Sequence, residues 1–191
     1  MQRCRVNSKW HLGWAVRVLR AGGIVAHATE GVWGLACDPA CEVAVGRLLR
    51  VKRRPVHKGL ILIGASADVF AQELAQLSAV ERSTVCASWP GAVTWLLPNR
   101  RFAYWVTGGR EAVAVRVPGH GQARALCRAF GGPLVSTSAN ISGRPAARSG
   151  LTARRSIRTG VDYFLPGEVA FAGGPSEIRT LSGRRLRGAG Q

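Results

Sequence analysis

Short apolar segments alternate with amphipathic segments along most of this chain. Compact runs of Val, Ile and Leu are typical of buried strands, whereas apolar residues spaced three or four apart are typical of helices with one buried face. Strands are predicted over residues 23–27, 60–63, 93–97, 112–117, 134–136 and 163–165. Helices are predicted over 8–21, 38–51, 66–77, 78–87, 122–130 and 152–158, and loops over 29–34 and 100–110.

Several helix ends and faces can be assigned from residue type. Asn7 or Ser8 is suited to cap the first helix, and the pair Ser78 and Glu81 forms a capping box at the fourth. The first helix carries Trp10, Trp14, Val18 and Leu19 on one face, and the second turns Val45, Leu48 and Leu49 inward.

The order of these elements predicts the fold class. Strands alternating with helices favour one α/β domain over residues 1–191, with a core of about 10–187. The segment 60–63 is apolar throughout, which predicts a central strand covered on both faces. Two features argue against a simple doubly wound order. One is a hairpin predicted over 178–181 and 185–187, with its turn at Ser182 and Gly183. The other is the pair of adjacent helices predicted over 66–77 and 78–87. We therefore expect a twisted sheet of mixed parallel and antiparallel strands, flanked by helices.

Two loops carry the clearest candidate chemistry. Residues 52–59 supply fixed cations, and residues 136–140 supply hydroxyls and an amide, each beside a predicted buried strand. Only three of the 27 cationic residues are lysines, and two of these, Lys52 and Lys58, lie in the first loop. Cations of both kinds together with Ser and Asn donors suit a polyanion such as a nucleoside triphosphate.

Composition narrows the class of protein further. The formal net charge of +17 is consistent with contact with RNA through a basic surface, although the charged residues are dispersed. The five cysteines have no zinc-finger spacing, and no P-loop or dinucleotide-binding glycine motif occurs. The start of the chain lacks the pattern of a signal peptide, and no apolar run is long enough to span a membrane, so a soluble cytoplasmic protein is expected.

Six short segments, in this order, carry a resemblance to a known family. They are Ala28-Thr29-Glu30-Gly31-Val32-Trp33-Gly34-Leu35, Lys52-x-Arg54-Pro55, Trp89-Pro90-Gly91-x-Val93-Thr94, Val115-Arg116-Val117-Pro118, Ser136-Thr137-Ser138-Ala139-Asn140 and Pro175-Ser176-Glu177-Ile178. Spread over nearly the whole chain, this series resembles the YrdC-like family, specifically its short bacterial threonylcarbamoyl-AMP synthases.

The resemblance implies an activity. Members of this group make L-threonylcarbamoyl-adenylate and pyrophosphate from L-threonine, bicarbonate and ATP. A separate transferase complex then moves the threonylcarbamoyl group to tRNA. ATP would enter as a substrate together with Mg²⁺, and no tightly bound cofactor is implied.

The resemblance also implies roles for individual residues. Lys52 and Arg54 are expected to be catalytic, and ATP is expected to bind Arg54, Lys58, Ser138 and Asn140. Threonine is expected to bind Thr29, Gly31, Arg116, Ser136 and Ser176, with Arg116 meeting its carboxylate. Trp33 and Trp89 are expected to be wall or core residues.

Two other functions remain open on the sequence. One is an RNA-binding module of the same fold that acts in tRNA or ribosome maturation. The other is a paralogue that makes a different carbamoyl- or acyl-adenylate. The presence of both the K-x-R and the S-x-N motifs favours the synthase, because a binder that used only charge would need no Ser and Asn at these positions.

Overall fold

The computed structural model describes residues 9–157, 159–170 and 174–187. Nine strands in these ranges form one sheet: β1 (Val25–Ala28), β2 (Trp33–Cys37), β3 (Ile61–Ile63), β4 (Val93–Pro98), β5 (Ala112–Arg116), β6 (Leu134–Ser138), β7 (Tyr163–Phe164), β8 (Glu177–Thr180) and β9 (Arg185–Arg187). Their spatial order is β7-β1-β2-β6-β3-β5-β4-β8-β9. The pairs β1–β7, β3–β5 and β4–β8 are parallel, and the other neighbours are antiparallel. The predicted mixed sheet is confirmed, and β3 lies at its centre.

Helices cover both faces of this sheet. They are α1 (Lys9–Arg20), α2 (Glu42–Lys52), α3 (Ala71–Leu74), α4 (Ala79–Ala87), α5 (Tyr104–Thr107), α6 (Gly121–Phe130) and α7 (Gly150–Ser156), with 3-10 turns at Val56–Lys58 and Ala67–Phe70. The larger core lies on the face covered by α2, α4 and α7, where Leu48, Leu62 and Phe70 are fully buried. The smaller core lies on the other face, where α1 and α6 bury Leu19 and Leu126.

Strand β2 corrects the sequence prediction. The segment 29–34 is predicted as a loop, yet a strand begins at Trp33 and pairs with both β1 and β6. Its sequence, WGLAC, contains a glycine and an alanine and lacks the β-branched residues that mark strands. Tertiary pairing decides here, because all five residues are buried between two neighbouring strands.

The helix predictions need smaller corrections. The helix predicted over 66–77 is a 3-10 turn followed by the single turn α3, and a short helix, α5, interrupts the predicted loop 100–110. Helix α2 begins at Glu42, because Asp38 accepts a hydrogen bond from the backbone N–H of Ala40 and forms a turn first. The predicted capping box at Ser78 is present.

The face of α1 also differs from the prediction. Ala15, Val16 and Leu19 are buried, whereas Trp10 and Trp14 are 66% and 45% exposed. Small and aliphatic residues allow α1 to pack closely against α6 and the sheet, so the two indoles lie on the outer side. The predicted caps Asn7 and Ser8, and Arg158 at the predicted end of α7, lie outside the described residues.

None of the described helices is both long enough and apolar enough to cross a membrane.

Candidate active site

A cavity of about 490 Å³ opens on the face of the sheet that α1 and α6 cover only in part. Side chains alternate between the two faces of a strand. Leu35, Leu62 and Val115 point into the larger core, so their neighbours Gly34, Ile61 and Ala114 point the other way and line the cavity. Because several of these lining residues are small, the middle of the sheet has room for a ligand.

All ten residues predicted for the site line this one cavity. They are Thr29, Gly31, Lys52, Arg54, Lys58, Arg116, Ser136, Ser138, Asn140 and Ser176. Trp33 and Trp89, which were expected to be structural, are buried in the larger core.

Three cations line one end of the cavity. Lys58 belongs to the 3-10 turn after α2, and Arg54 orders that turn by donating to the carbonyl oxygens of Lys58 at 3.2 Å and Gly59 at 2.8 Å. Arg110 packs over Gly59, whose positive φ of 62° suits glycine. Burial and the charge of Arg110 lower the pKa of Arg54. This end is therefore a positively charged region in which the cations lack carboxylate partners among the described residues.

Lys52 links the two loops identified in the sequence. Its side chain is buried, and Nζ donates to the carbonyl oxygens of Ser138 and Asn140, the latter at 2.8 Å. A longer contact of 3.4 Å reaches Asn140 Oδ1. Burial, and to a smaller extent the charge of Arg54, lowers the pKa of Lys52 from 10.5 to about 8. An ammonium group has three N–H donors, so these contacts can occupy all of them.

The turn that follows β6 is closed by its own polar side chains. Ser138 Oγ donates to Asn140 Oδ1 at 2.5 Å, and Asn140 Nδ2 donates to the carbonyl oxygen of Arg144. The backbone N–H of Ser142 donates to the carbonyl oxygen of Lys52 at 2.8 Å. Lys52, Ser138 and Asn140 therefore form one network that fixes the backbone of this turn beside the cations.

The opposite end of the cavity holds the residues predicted to bind threonine. Thr29 Oγ1 donates to the carbonyl oxygen of Val32 at 2.7 Å and closes the turn between β1 and β2. Gly31 touches the backbone of Gly174 so closely that any β-carbon would overlap it. This contact brings the 29–31 turn against the segment that carries Ser176.

Two residues that line the cavity, Glu30 and Arg110, and one directly behind its lining, Thr94, received no role from the sequence. Glu30 forms a buried ion pair with Arg116, Thr94 shares a hydrogen bond of 2.9 Å with Ser176, and Arg110 adds to the cationic end. Glu30 directly follows Thr29 and Thr94 ends the motif that begins at Trp89, so both stand within the quoted motifs, although the motifs do not indicate a role for either. Arg110 lies in a segment predicted only as a loop, and nothing in its local sequence marks it.

The chemistry available is charge neutralisation and positioning. Among the described residues, no group of three or more His, Cys, Asp or Glu side chains could hold a metal ion. A phosphate chain would suit the cationic end, and a small carboxylate-bearing molecule would suit the end with Arg116.

Comparison with known proteins identifies the family of this chain. The sequence model of the Sua5/YciO/YrdC family, described as telomere recombination, matches residues 17–188. The chain belongs to this family. The threonylcarbamoyl-AMP synthase of Hahella chejuensis is 46% identical over 173 residues, which cover 90% of this chain and 94% of the relative. The enzyme of the same name from Halorhodospira halophila is 51% identical over 175 residues, which cover 91% and 92%.

Solved structures give the same fold. Sua5 of P. abyssi, complexed with L-threonine, superposes with a TM-score of 0.87 at 31% identity and covers 96% of this chain. This chain spans only 55% of that Sua5 chain. E. coli YciO superposes with a TM-score of 0.79 at 21% identity, with coverage of 95% of this chain and 90% of YciO, and supports the fold alone.

Proposed function

We propose that this protein is a cytoplasmic threonylcarbamoyl-AMP synthase, a nucleotidyltransferase that forms L-threonylcarbamoyl-adenylate and pyrophosphate from L-threonine, bicarbonate and ATP. The observation that carries the proposal is that one cavity has a cationic end and, at its other end, an arginine among small hydroxyl side chains. Two relatives of similar length that bear this name are 46% and 51% identical to the chain over 173 and 175 aligned residues.

At the cationic end, Arg54, Lys58 and Arg110 would neutralise the triphosphate. Transfer at phosphorus depends chiefly on positioning and on stabilising the charge of the phosphate oxygens, which arginine and lysine both supply. Ser138 and Asn140 would present the turn after β6 to phosphate or ribose oxygens. Lys52 would keep this turn in place, close to the reacting atoms.

At the other end, Arg116 would pair with the threonine carboxylate, and Thr29, Gly31, Ser136 and Ser176 would surround its side chain. The threonine nitrogen is first carboxylated by bicarbonate with loss of water. An oxygen of the resulting carbamate then attacks the α-phosphorus of ATP, the bond to the β-phosphate oxygen breaks, and pyrophosphate leaves. Holding both reactants in one cavity supplies the orientation that this step requires.

Magnesium would enter as the MgATP complex. The only carboxylate among the described lining residues is that of Glu30, which pairs with Arg116, so phosphate oxygens and water would hold most of the metal's coordination sites.

The product would be used by a separate transferase that delivers the threonylcarbamoyl group to tRNA. Direct contact with tRNA through the basic surface is a second part of this proposal, supported by the net charge of +17. Filter binding of tRNA at increasing salt tests it, because phosphate contacts predict a steep loss of affinity with salt.

The decisive experiment is an assay of pyrophosphate release. We expect release only when ATP, bicarbonate and L-threonine are all present, with the adenylate detected by mass spectrometry. Release without threonine or without bicarbonate would contradict the proposal. Release with another amino acid in preference to threonine would favour a paralogue that makes a different adenylate, and tRNA binding without any release would favour the RNA-binding module.

A further inference from the structure

Glu30 lies at the threonine end of the cavity and connects three parts of the chain. It follows Thr29 in the turn between β1 and β2, and its side chain is buried. One carboxylate oxygen, Oε1, pairs with the guanidinium of Arg116 at the end of β5. The same oxygen accepts a hydrogen bond of 2.5 Å from the backbone N–H of Gly119, just before α6.

The guanidinium of Arg116 is held on two sides. Its Nε donates to the carbonyl oxygen of Gly91 at 2.8 Å, and its Nη2 faces Glu30. No hydrogen bond within the described part of the chain uses Nη1, so this edge is left for a ligand in the cavity that Arg116 lines. An arginine side chain has many rotamers, and each contact that fixes it lowers the entropy cost of binding a carboxylate.

The charge balance at this end of the cavity also depends on Glu30. A buried arginine without a partner would leave one uncompensated positive charge, which is costly and attracts any anion. With Glu30 the pair is neutral overall, and a neutral pair suits a zwitterion such as an α-amino acid better than a simple carboxylate.

Glu30 acts as a fixed charge rather than as a proton acceptor. Burial alone would raise its pKa, but the charge of Arg116 and the hydrogen bonds to the carboxylate outweigh burial and hold the pKa of Glu30 below its usual value. The carboxylate is therefore ionised at neutral pH and is a poor base for the threonine ammonium.

We propose that Glu30 is a positioning and specificity-determining residue of the amino-acid site, which orients the guanidinium of Arg116 and balances its charge so that zwitterionic amino acids bind in preference to carboxylates without an ammonium group. This inference rests on the proposed function, because it assigns the amino-acid carboxylate to Arg116.

The test compares Glu30→Gln with wild-type protein and with Glu42→Gln, a matched removal of one exposed negative charge in the first turn of α2. In Glu30→Gln, KM for threonine should rise about tenfold or more, the scale of one lost charge-assisted contact, while KM for ATP stays within about twofold. Glu42→Gln should leave both constants unchanged. A role in stability alone would change both KM values together, or neither, and would overturn the proposal.

A competitor measures the charge balance directly. The ion 3-hydroxybutyrate keeps the carboxylate and hydroxyl of threonine but lacks the ammonium group. Its inhibition constant should exceed the KM for threonine in wild-type protein and should itself fall about tenfold in Glu30→Gln, because the bare arginine then attracts any carboxylate. An unchanged inhibition constant would overturn the specificity part of the proposal.

A double-mutant cycle with Arg116→Lys shows whether Glu30 acts through Arg116. If it does, Glu30→Gln should add little to the threonine KM once Arg116 is replaced, whereas independent roles would give multiplicative effects. If Glu30→Gln does not fold, Glu30→Asp retains the charge while shortening its reach, and should give an intermediate KM. An inactive wild-type protein would refute the proposed function, whereas an active wild-type protein with an unaffected Glu30→Gln variant would refute this inference alone.

Discussion

Replacement of Lys52 by methionine tests how the two loops of the cavity are joined. Lys52 Nζ lies among the carbonyl oxygens of Ser138 and Asn140 and the side-chain oxygen Oδ1 of Asn140. Methionine fills a similar volume but cannot donate, so these oxygens lose their donor at a cost of about 1–3 kcal/mol each where no other donor replaces it. The fall in the pKa of Lys52 from 10.5 to about 8 means that burying its positive charge costs about 3 kcal/mol. Methionine carries no charge, so the substitution removes up to that cost and offsets part of the lost hydrogen bonding.

The balance of these terms predicts a measurable loss of stability. We expect the free energy of unfolding of Lys52→Met to fall by about 2 kcal/mol, or the Tm by roughly 4–8 °C for a chain of this size. Lys58→Met is the matched control, because Lys58 is exposed in the same loop; its unfolding free energy should stay within about 0.5 kcal/mol. In both variants kcat/KM should fall at least about tenfold. In Lys52→Met the fall is expected because the turn after β6 is no longer held in place, and in Lys58→Met because KM for ATP rises.

Urea unfolding, followed by tryptophan fluorescence, measures the stability of both variants. A Lys52→Met protein that is as stable as the wild type but has lost its activity would refute this reasoning, since it would mean that Lys52 acts on the ligand without holding the turn.

Four further predictions concern residues in or directly behind the cavity. The pKa of Lys52 is about 8 in the folded protein and 10.5 in the unfolded chain, so the unfolded chain binds more protons between pH 8 and pH 10.5. The unfolding free energy of the wild type, measured relative to that of Lys52→Met, should therefore rise with pH across this range. Arg54→Ala should lower kcat/KM for ATP at least about tenfold, and near-normal turnover would remove Arg54 from the phosphate site. Threonine should be used far better than valine, with serine between them, because a site that hydrogen-bonds a hydroxyl rejects its isostere strongly. Thr94→Val removes the hydrogen bond to Ser176 and should narrow the preference for threonine over valine, which parallel adenylate assays with the two amino acids would measure.

Local sequence predicted much of the fold because most elements carry their own signals. The capping residues Ser78 and Glu81 set the start of α4, and the continuous apolar run at β3 indicated a central strand, as the structure confirms. Strand β2 was missed because it contains a glycine and an alanine and has no β-branched residue. Only the folded structure shows why a small residue is suited to this strand, since Gly34 lines the cavity.

The residues of the candidate site were also predicted only in part from the sequence. Residue types and motifs predicted ten site residues, and all ten line one cavity. The role of each residue stays a prediction. Glu30 and Arg110 were not assigned. Nothing in the local sequence distinguishes Glu30 from other acidic residues. Its proposed role depends on Arg116, which is 86 positions away in the chain and comes into contact only because the fold places the end of β5 beside the 29–31 turn.

The sequence by itself determined the family, the mixed α/β class and the cations and hydroxyls that the cavity contains, because these depend on residue types and their order. Tertiary structure alone decided how those groups are used. Burial places Lys52 among carbonyl oxygens, Glu30 against Arg116, and Thr94 behind Ser176. The physical reason is that ionisation and hydrogen bonding depend on which groups are removed from water together, and residues far apart in the chain become neighbours only when the sheet forms.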